Sequence, residues 1–99
     1  MQFLVLASRA TPSAAPTPTA DEREAEFEVI RSLYAAGVVQ QIWLRDGGAC
    51  MIAESASSET LSAQLATLPL VQSGYLQTPT VIALKPYAGF GPRSAAGQP

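Results

Sequence analysis

The chain contains no histidine, and this absence narrows the chemistry available to it. Histidine is the usual general base near neutral pH and a frequent ligand of zinc and haem iron. Histidine-based triads and dyads and most zinc sites are therefore excluded. The single cysteine, Cys50, cannot form an internal disulfide or build a metal site alone. We predict no metal site, and we expect Cys50 to pack in a strand.

Charge is also sparse, since only 14% of the 99 residues are charged and the six basic residues are scattered. A basic patch that could neutralise phosphates is missing, which argues against a nucleic-acid partner. No stretch is long and apolar enough to span a membrane, and residues 2–7 lack the basic segment and the length of a secretory signal. We therefore expect a cytoplasmic protein that binds neither nucleic acid nor membrane.

What is present describes one small folded domain. With 47% hydrophobic residues, the chain can form a core. We predict a single domain over residues 1–90 and a disordered tail over residues 91–99. Residues 10–19 are rich in Pro, Ala, Ser and Thr, so we expect a flexible loop there. Its length makes it a candidate flap over a site.

The strongest local pattern lies at residues 38–55, which favour two strands joined by a tight turn at Asp46-Gly47-Gly48. With a two-residue turn, one hairpin face is apolar. The other face collects Gln41, Trp43, Arg45, Cys50, Ile52 and Glu54. Placing both glycines at the turn sets Arg45 opposite Cys50. It sets Glu54 opposite Gln41, about 13 Å from Arg45 along the strand. A three-residue turn would reverse which residues share the polar face.

The other elements follow from periodicity and end signals. Residues 2–8 are apolar on both faces, as in a central strand. A capping box, Thr19-x-x-Glu22, begins a helix that ends at Gly37. Its apolar face consists of Phe27, Ile30, Leu33 and Tyr34, and its carboxylates Glu24 and Glu28 are expected to be solvated. Ser57 or Ser58 begins a second helix that ends before Pro69, and residues 75–85 form an edge strand.

The resulting order is strand, helix, strand, strand, helix, strand. This βαββαβ order predicts a ferredoxin-like α+β fold, with a four-stranded antiparallel sheet and two helices on one face. Right-handed crossovers give the strand order 4-1-3-2. Because strand 1 is apolar on both faces, the second sheet face needs a cover. A second copy of the chain is the simplest one, so we expect a homodimer.

Three segments of the chain carry a family resemblance: LYAAGVVQQIWLRDGGACMIAES, LATLPLVQSG and VIALKPYAGF. They resemble small bacterial proteins related to muconolactone isomerase. The resemblance covers residues 20–90 and is firmest at Gly37, Trp43, Arg45 and the Leu68-Pro69-Leu70 step. It implies a dimeric α+β barrel, sometimes assembled into larger rings. It also implies an isomerase that moves a double bond in an unsaturated lactone by proton transfer, without a cofactor.

The family's histidine is absent here, so we expect a related lactone, carbonyl or polyketide-like substrate. Glu54 is the candidate base, because burial within its apolar run would raise a carboxyl pKa. Arg45 is the candidate for holding a carboxylate or an enolate oxygen. The substrate-binding candidates are Trp43, Gln41, Cys50, Tyr34 and Tyr75.

Structural alternatives exist for these candidates. Glu54 can end its strand in solvent, Arg45 can pair with Asp46 at the turn, and Trp43 can pack in a dimer core. Tyr34 and Tyr75 can be half-buried core residues. At the level of function, two alternatives stay open beside the isomerase. One is a cofactor-free monooxygenase on the same fold, and the other is a non-catalytic dimeric binding module.

Overall fold

The computed structural model describes residues 1–10 and 17–89. Over these residues the chain forms the strands β1 (Gln2–Ser8), β2 (Val39–Arg45), β3 (Gly48–Glu54) and β4 (Thr80–Ala83). The helices are α1 (Ala20–Ala35), α2 (Ser58–Leu65) and the short α3 (Pro69–Gln72). The ferredoxin-like prediction is confirmed, and α3 is an addition to it. The predicted flap and tail lie largely outside the described residues and stay predictions.

The four strands form one antiparallel sheet in the order β2-β3-β1-β4, which is the predicted order. β1 is central: it pairs with β3 from Gln2 to Ser8 and with β4 from Phe3 to Leu6. This central position is the one that the apolar character of both its faces predicts. β4 is shorter than predicted, because it begins only after Pro79, which cannot donate a ladder hydrogen bond.

The turn of the β2–β3 hairpin differs from the expected one. Asp46 and Gly47 form the two-residue loop, and Gly48 already pairs with Arg45. Gly47 has a φ of 79°, a conformation that glycine adopts without a steric cost. Arg45 therefore lies opposite Gly48, and the prediction that it faces Cys50 is wrong. The loop still has two residues, so the predicted division into two faces holds.

A bulge then shifts the register between Val39 and Gln41. Gln41 pairs with Ile52, and Val39 pairs with Ala53, so the expected pairing of Gln41 with Glu54 is also wrong. The bulge inserts one extra residue into β2, and sequence spacing alone does not predict its position.

Both long helices pack on one sheet face, and α1 begins at the predicted capping box. Thr19 Oγ1 accepts a hydrogen bond from the Glu22 N–H at 3.1 Å, and Glu22 Oε1 accepts one from the Thr19 N–H at 2.8 Å. The core consists of Phe3, Val5, Val38, Val39, Met51, Ala53, Leu61, Leu65 and Leu68. The helix end and the core together fix how α1 is rotated against the sheet.

The face of α1 that packs against the sheet differs from the predicted apolar face. Ile30 and Leu33 do pack against the core, whereas Phe27 is 51% exposed and Tyr34 is 67% exposed. The inward face instead runs through Glu26, Val29, Ile30 and Leu33, at the helical spacing of three and four residues. One consequence is a carboxylate in the interior.

The other sheet face carries the alternate residues of each strand. Leu4, Leu6, Cys50 and Ile52 are half-buried there, and Trp43 and Ile82 are 50% and 41% exposed. The described helices lie on the opposite side, so none of them covers this face, which we call the open sheet face. None of the helices within the described ranges combines the length and the apolar character that crossing a bilayer requires.

Candidate functional site

A cavity of about 500 Å³ lies between α1, the hairpin turn and the segment that follows α3. This volume falls within the range of roughly 300–1,000 Å³ that is typical of small-molecule sites. Its apolar wall consists of Phe27, Ile30, Ile42, Leu44, Ala49, Leu70 and Leu76. The polar lining consists of Arg9, Glu26, Arg45, Asp46 and Tyr75. An apolar wall with a few converging polar groups is the usual character of a ligand site.

A continuous series of backbone and side-chain contacts ties the cavity walls together. Glu26 Oε1 accepts a hydrogen bond from the Leu70 N–H at 3.0 Å, and the Leu70 carbonyl accepts one from the Leu76 N–H at 3.0 Å. Leu76 forms an isolated antiparallel β-bridge with Arg9, and the Arg9 N–H donates to the Gly47 carbonyl at 2.8 Å. These contacts fix α1, α3, the end of β1 and the hairpin turn around one space.

Glu26 is the only charged residue that is buried among the residues the structure describes, with 7% of its surface exposed. Burial raises the pKa of its carboxyl, and the hydrogen bond from the Leu70 N–H offsets this in part. Within residues 1–10 and 17–89, no arginine or lysine nitrogen lies within 4.0 Å of it. Its Oε2 has no hydrogen-bond donor in that part of the chain. Glu26 therefore keeps its proton to higher pH than an ordinary glutamate, and one oxygen is left for a ligand.

Sequence reasoning missed Glu26 and considered Glu24 and Glu28 instead. Those two carboxylates both form ion pairs with Arg31 on the outer side of α1. One sequence signal could have found Glu26. It lies three and four residues before Val29 and Ile30, and seven before Leu33, so it is in phase with the inward face.

The predicted base, Glu54, lies at the opposite end of β3 from the turn. Its side chain is 42% exposed and forms an ion pair with the amino group of Met1. Glu54 is not among the residues that line the cavity. Its role as a base stays a prediction, and the geometry around the cavity favours Glu26.

Arg45 lines the cavity, but its guanidinium is largely engaged by the protein. Nη2 donates to Ser8 Oγ at 2.6 Å and to the Ala7 carbonyl at 3.3 Å. Nε donates to the Ala49 carbonyl at 3.3 Å, and Nη1 donates to the Asp46 carbonyl at 3.5 Å. These bonds attach the hairpin turn to the end of β1. The predicted anion-binding role of Arg45 stays a prediction.

The structure brings only one of the predicted substrate-binding residues, Tyr75, into the same cavity as Arg45. Trp43 and Cys50 are paired across the hairpin on the open sheet face, and neither lines the cavity. Tyr34 and Gln41 line a second depression of about 280 Å³ beside the bulge. In the described part of the chain, no three His, Cys, Asp or Glu side chains are grouped as metal ligands would be.

Comparison with known proteins gives a fold but no family. No family model matches the chain, and no curated protein matches it. Among solved structures, it is similar to 5-chloro-2-hydroxyhydroquinone dehydrochlorinase (TftG) from Burkholderia phenoliruptrix AC1100, in complex with 2,5-dihydroxybenzoquinone. The TM-score is 0.67, and the match covers 86% of this chain and 94% of TftG at 19% identity.

At that identity the likeness establishes the architecture. The chain shares the ferredoxin-like α+β fold with TftG. Membership of the dimeric α+β barrel superfamily, and of the muconolactone isomerase-like family within it, stays a prediction.

Proposed function

We propose that this protein is an isomerase-like enzyme that transfers a proton within a small unsaturated lactone, carbonyl or polyketide-like compound, without a cofactor. We further propose that Glu26 is the proton acceptor. The observation that carries the proposal is the burial of this carboxyl on the wall of an apolar cavity of about 500 Å³. Because burial raises the pKa of this carboxyl, its ionised form is a stronger base than an ordinary glutamate carboxylate, and its protonated form can return the proton.

In the proposed reaction, Glu26 Oε2 takes a proton from the carbon next to a carbonyl group. The electrons of that C–H bond form a new carbon–carbon double bond, and negative charge builds up on the carbonyl oxygen. The same carboxyl then returns the proton to a carbon further along the conjugated system. The double bond has moved, and no electrons enter or leave the substrate.

Tyr75 is the proposed donor to the developing oxygen charge. It lines the same cavity as Glu26, and its backbone carbonyl is held by the Ala10 N–H at 2.9 Å. A preorganised donor in an apolar site stabilises an oxyanion more than the same donor does in water. Tyr75→Phe should therefore lower the rate of proton transfer while leaving Glu26 in place.

The TftG ligand, 2,5-dihydroxybenzoquinone, is a flat ring with carbonyl and enol oxygens. A ring of this kind is a suitable first probe, because the apolar side chains of the cavity offer faces for it to pack against. Unsaturated lactones complete the panel, since they follow from the sequence resemblance.

The test is deuterium exchange into the panel compounds in D₂O, followed by NMR. Wild-type protein should incorporate deuterium next to the carbonyl group of at least one compound. Glu26→Gln should lose this activity by about two orders of magnitude or more, as expected for removal of a general base. Glu28→Gln is the matched control, because Glu28 lies on the outer side of the same helix. Equal exchange by wild type and Glu26→Gln would overturn the proposal.

The same panel separates the two alternative functions. Oxygen consumption with a panel compound, in the absence of added flavin or metal, would identify a monooxygenase. Saturable binding with neither exchange nor oxygen uptake would identify a binding module. The sequence-based hypothesis for a binding module requires the polar hairpin face around Trp43 to be filled by a partner subunit.

We also propose that the open sheet face is covered by a second copy of the chain. Leu6 lies near the middle of this face, between Cys50 and Thr80. Trp43, half-exposed in the single chain, lies on the same face. A 99-residue chain buries a modest share of its surface alone, so pairing two such faces would add substantial apolar burial.

A further inference from the structure

Arg9 continues the inward face of β1 beyond the end of the strand. Phe3, Val5 and Ala7 are buried on the helix side of the sheet. Because side chains alternate along an extended chain, Arg9 emerges on the same side. The alternation of β1 would lead one to expect an apolar side chain at this position. Arg9 stands there instead and lines the cavity.

The backbone of Arg9 is held on both sides. Its N–H donates to the Gly47 carbonyl at 2.8 Å, and the residue is bridged to Leu76. The next N–H, that of Ala10, donates to the Tyr75 carbonyl at 2.9 Å. The base of the side chain is therefore positioned by the hairpin turn and by the segment that carries Tyr75.

The guanidinium of Arg9 has no hydrogen-bond or ion-pair partner within residues 1–10 and 17–89. The remaining residues contain no Asp or Glu, so they offer no side-chain carboxylate either. Asp46 lines the same cavity, but its side-chain carboxylate lies more than 4.0 Å from any arginine side-chain nitrogen in the described chain. Arg45, by contrast, has four protein acceptors. A guanidinium that no described residue engages, on the wall of an apolar cavity, is a binding group for a carboxylate or a phenolate.

We infer that Arg9 binds an anionic group of the substrate, so that the substrate is a small ring compound carrying a carboxylate or a phenolate oxygen. This inference rests on the proposed function of the cavity. Arg9 and Glu26 are on its walls, connected through Leu70 and Leu76, yet they form no ion pair with each other. A ligand can lie between them, with its anionic group at Arg9 and its exchangeable proton at Glu26.

The test compares two probes of nearly equal size, benzoate and the neutral benzamide, by isothermal titration calorimetry. NMR shifts of the Ile30 and Ile42 methyl groups locate the binding, since both residues line the cavity. Wild-type protein should bind benzoate about tenfold or more tightly than benzamide. Arg9→Gln should remove this preference, and Arg9→Lys should keep part of it. Arg23→Gln makes the same change of net charge on the exposed side of α1 and should change nothing.

The benzoate affinity of wild type should also weaken with added salt, because Arg9 is exposed to solvent at the cavity edge. The inference is overturned if Arg9→Gln keeps the preference for benzoate, or if wild type binds neither probe at millimolar concentration. The two proposals can fail separately. Loss of benzoate binding in Arg9→Gln, together with unchanged deuterium exchange in Glu26→Gln, would leave the anion site standing and remove the role of Glu26.

Discussion

The start of α3 depends on a residue that is 44 positions away, and this dependence gives a measurable stability effect. Pro69 opens the helix and has no N–H to satisfy. The N–H groups of Val71 and Gln72 donate to the Leu68 carbonyl, each at 3.0 Å. Leu68 supplies no side-chain cap, so the Leu70 N–H is the remaining donor, and Glu26 Oε1 accepts from it.

Replacing Glu26 by leucine keeps a side chain of similar size and removes the acceptor. A buried N–H without a partner costs about 1–3 kcal/mol. The additional apolar burial of leucine offsets part of this cost, so we expect a net loss of about 1–2 kcal/mol. Glutamine keeps an oxygen for the Leu70 N–H and should be close to wild type in stability. At about 4–8 °C per kcal/mol for a domain of this size, Glu26→Leu should melt at least about 4 °C below Glu26→Gln.

The assay is urea and thermal unfolding of both variants at the same pH, followed by circular dichroism. Glu28→Leu is the control for placing leucine on α1, because Glu28 is exposed and its carboxylate contacts only Arg31 among the described residues. The reasoning is refuted if Glu26→Leu proves as stable as Glu26→Gln. In that case the contact with Leu70 would contribute nothing to holding α3.

Three further predictions concern pH, the hairpin turn and assembly. Since burial raises the pKa of Glu26, the folded protein binds more protons than the unfolded chain at pH values between the unfolded and folded pKa of this residue. The free energy of unfolding should therefore fall as pH rises through that window. Glu26→Gln should remove this pH dependence, as measured by urea unfolding at a series of pH values. A Cβ at position 48 would lie 1.9 Å from the Ala7 carbonyl oxygen, so Gly48→Ala should cost about 3 kcal/mol or more. Gly47→Ala meets no atom within 4 Å and should cost about 1–2 kcal/mol for its positive φ, and equal losses in thermal melts would contradict the argument. Leu6→Glu should convert a dimer to a monomer in sedimentation analysis, and a wild type that sediments as a monomer would refute the assembly.

The elements and their order could be predicted because local signals agreed with one another. The apolar β1, the Thr19 capping box and the Gly47 turn each mark one element, and the crossover rule then leaves one sheet order. The Leu68-Pro69 step was interpreted only as the end of α2. Proline at the first helical position equally favours a start, and α3 begins there.

The site was less predictable, because its charged groups meet only through tertiary contacts. Arg45 and Tyr75 were predicted, and both line the cavity. Glu26 was missed because two aromatic residues, Phe27 and Tyr34, suggested a different inward face for α1. The hydrogen bond between Glu26 and the Leu70 N–H joins residues that are 44 positions apart, so sequence spacing does not predict it.

The central claim is that Glu26 is a buried carboxyl on the cavity wall and that burial raises its pKa. The most direct measurement is a pH titration of the glutamate side-chain carboxyl carbons by ¹³C NMR, with the Glu26 signal assigned by its absence in Glu26→Gln. The account predicts that Glu26 titrates above the ordinary glutamate value, because burial raises its pKa. A Glu26 midpoint at or below the ordinary glutamate value would contradict it.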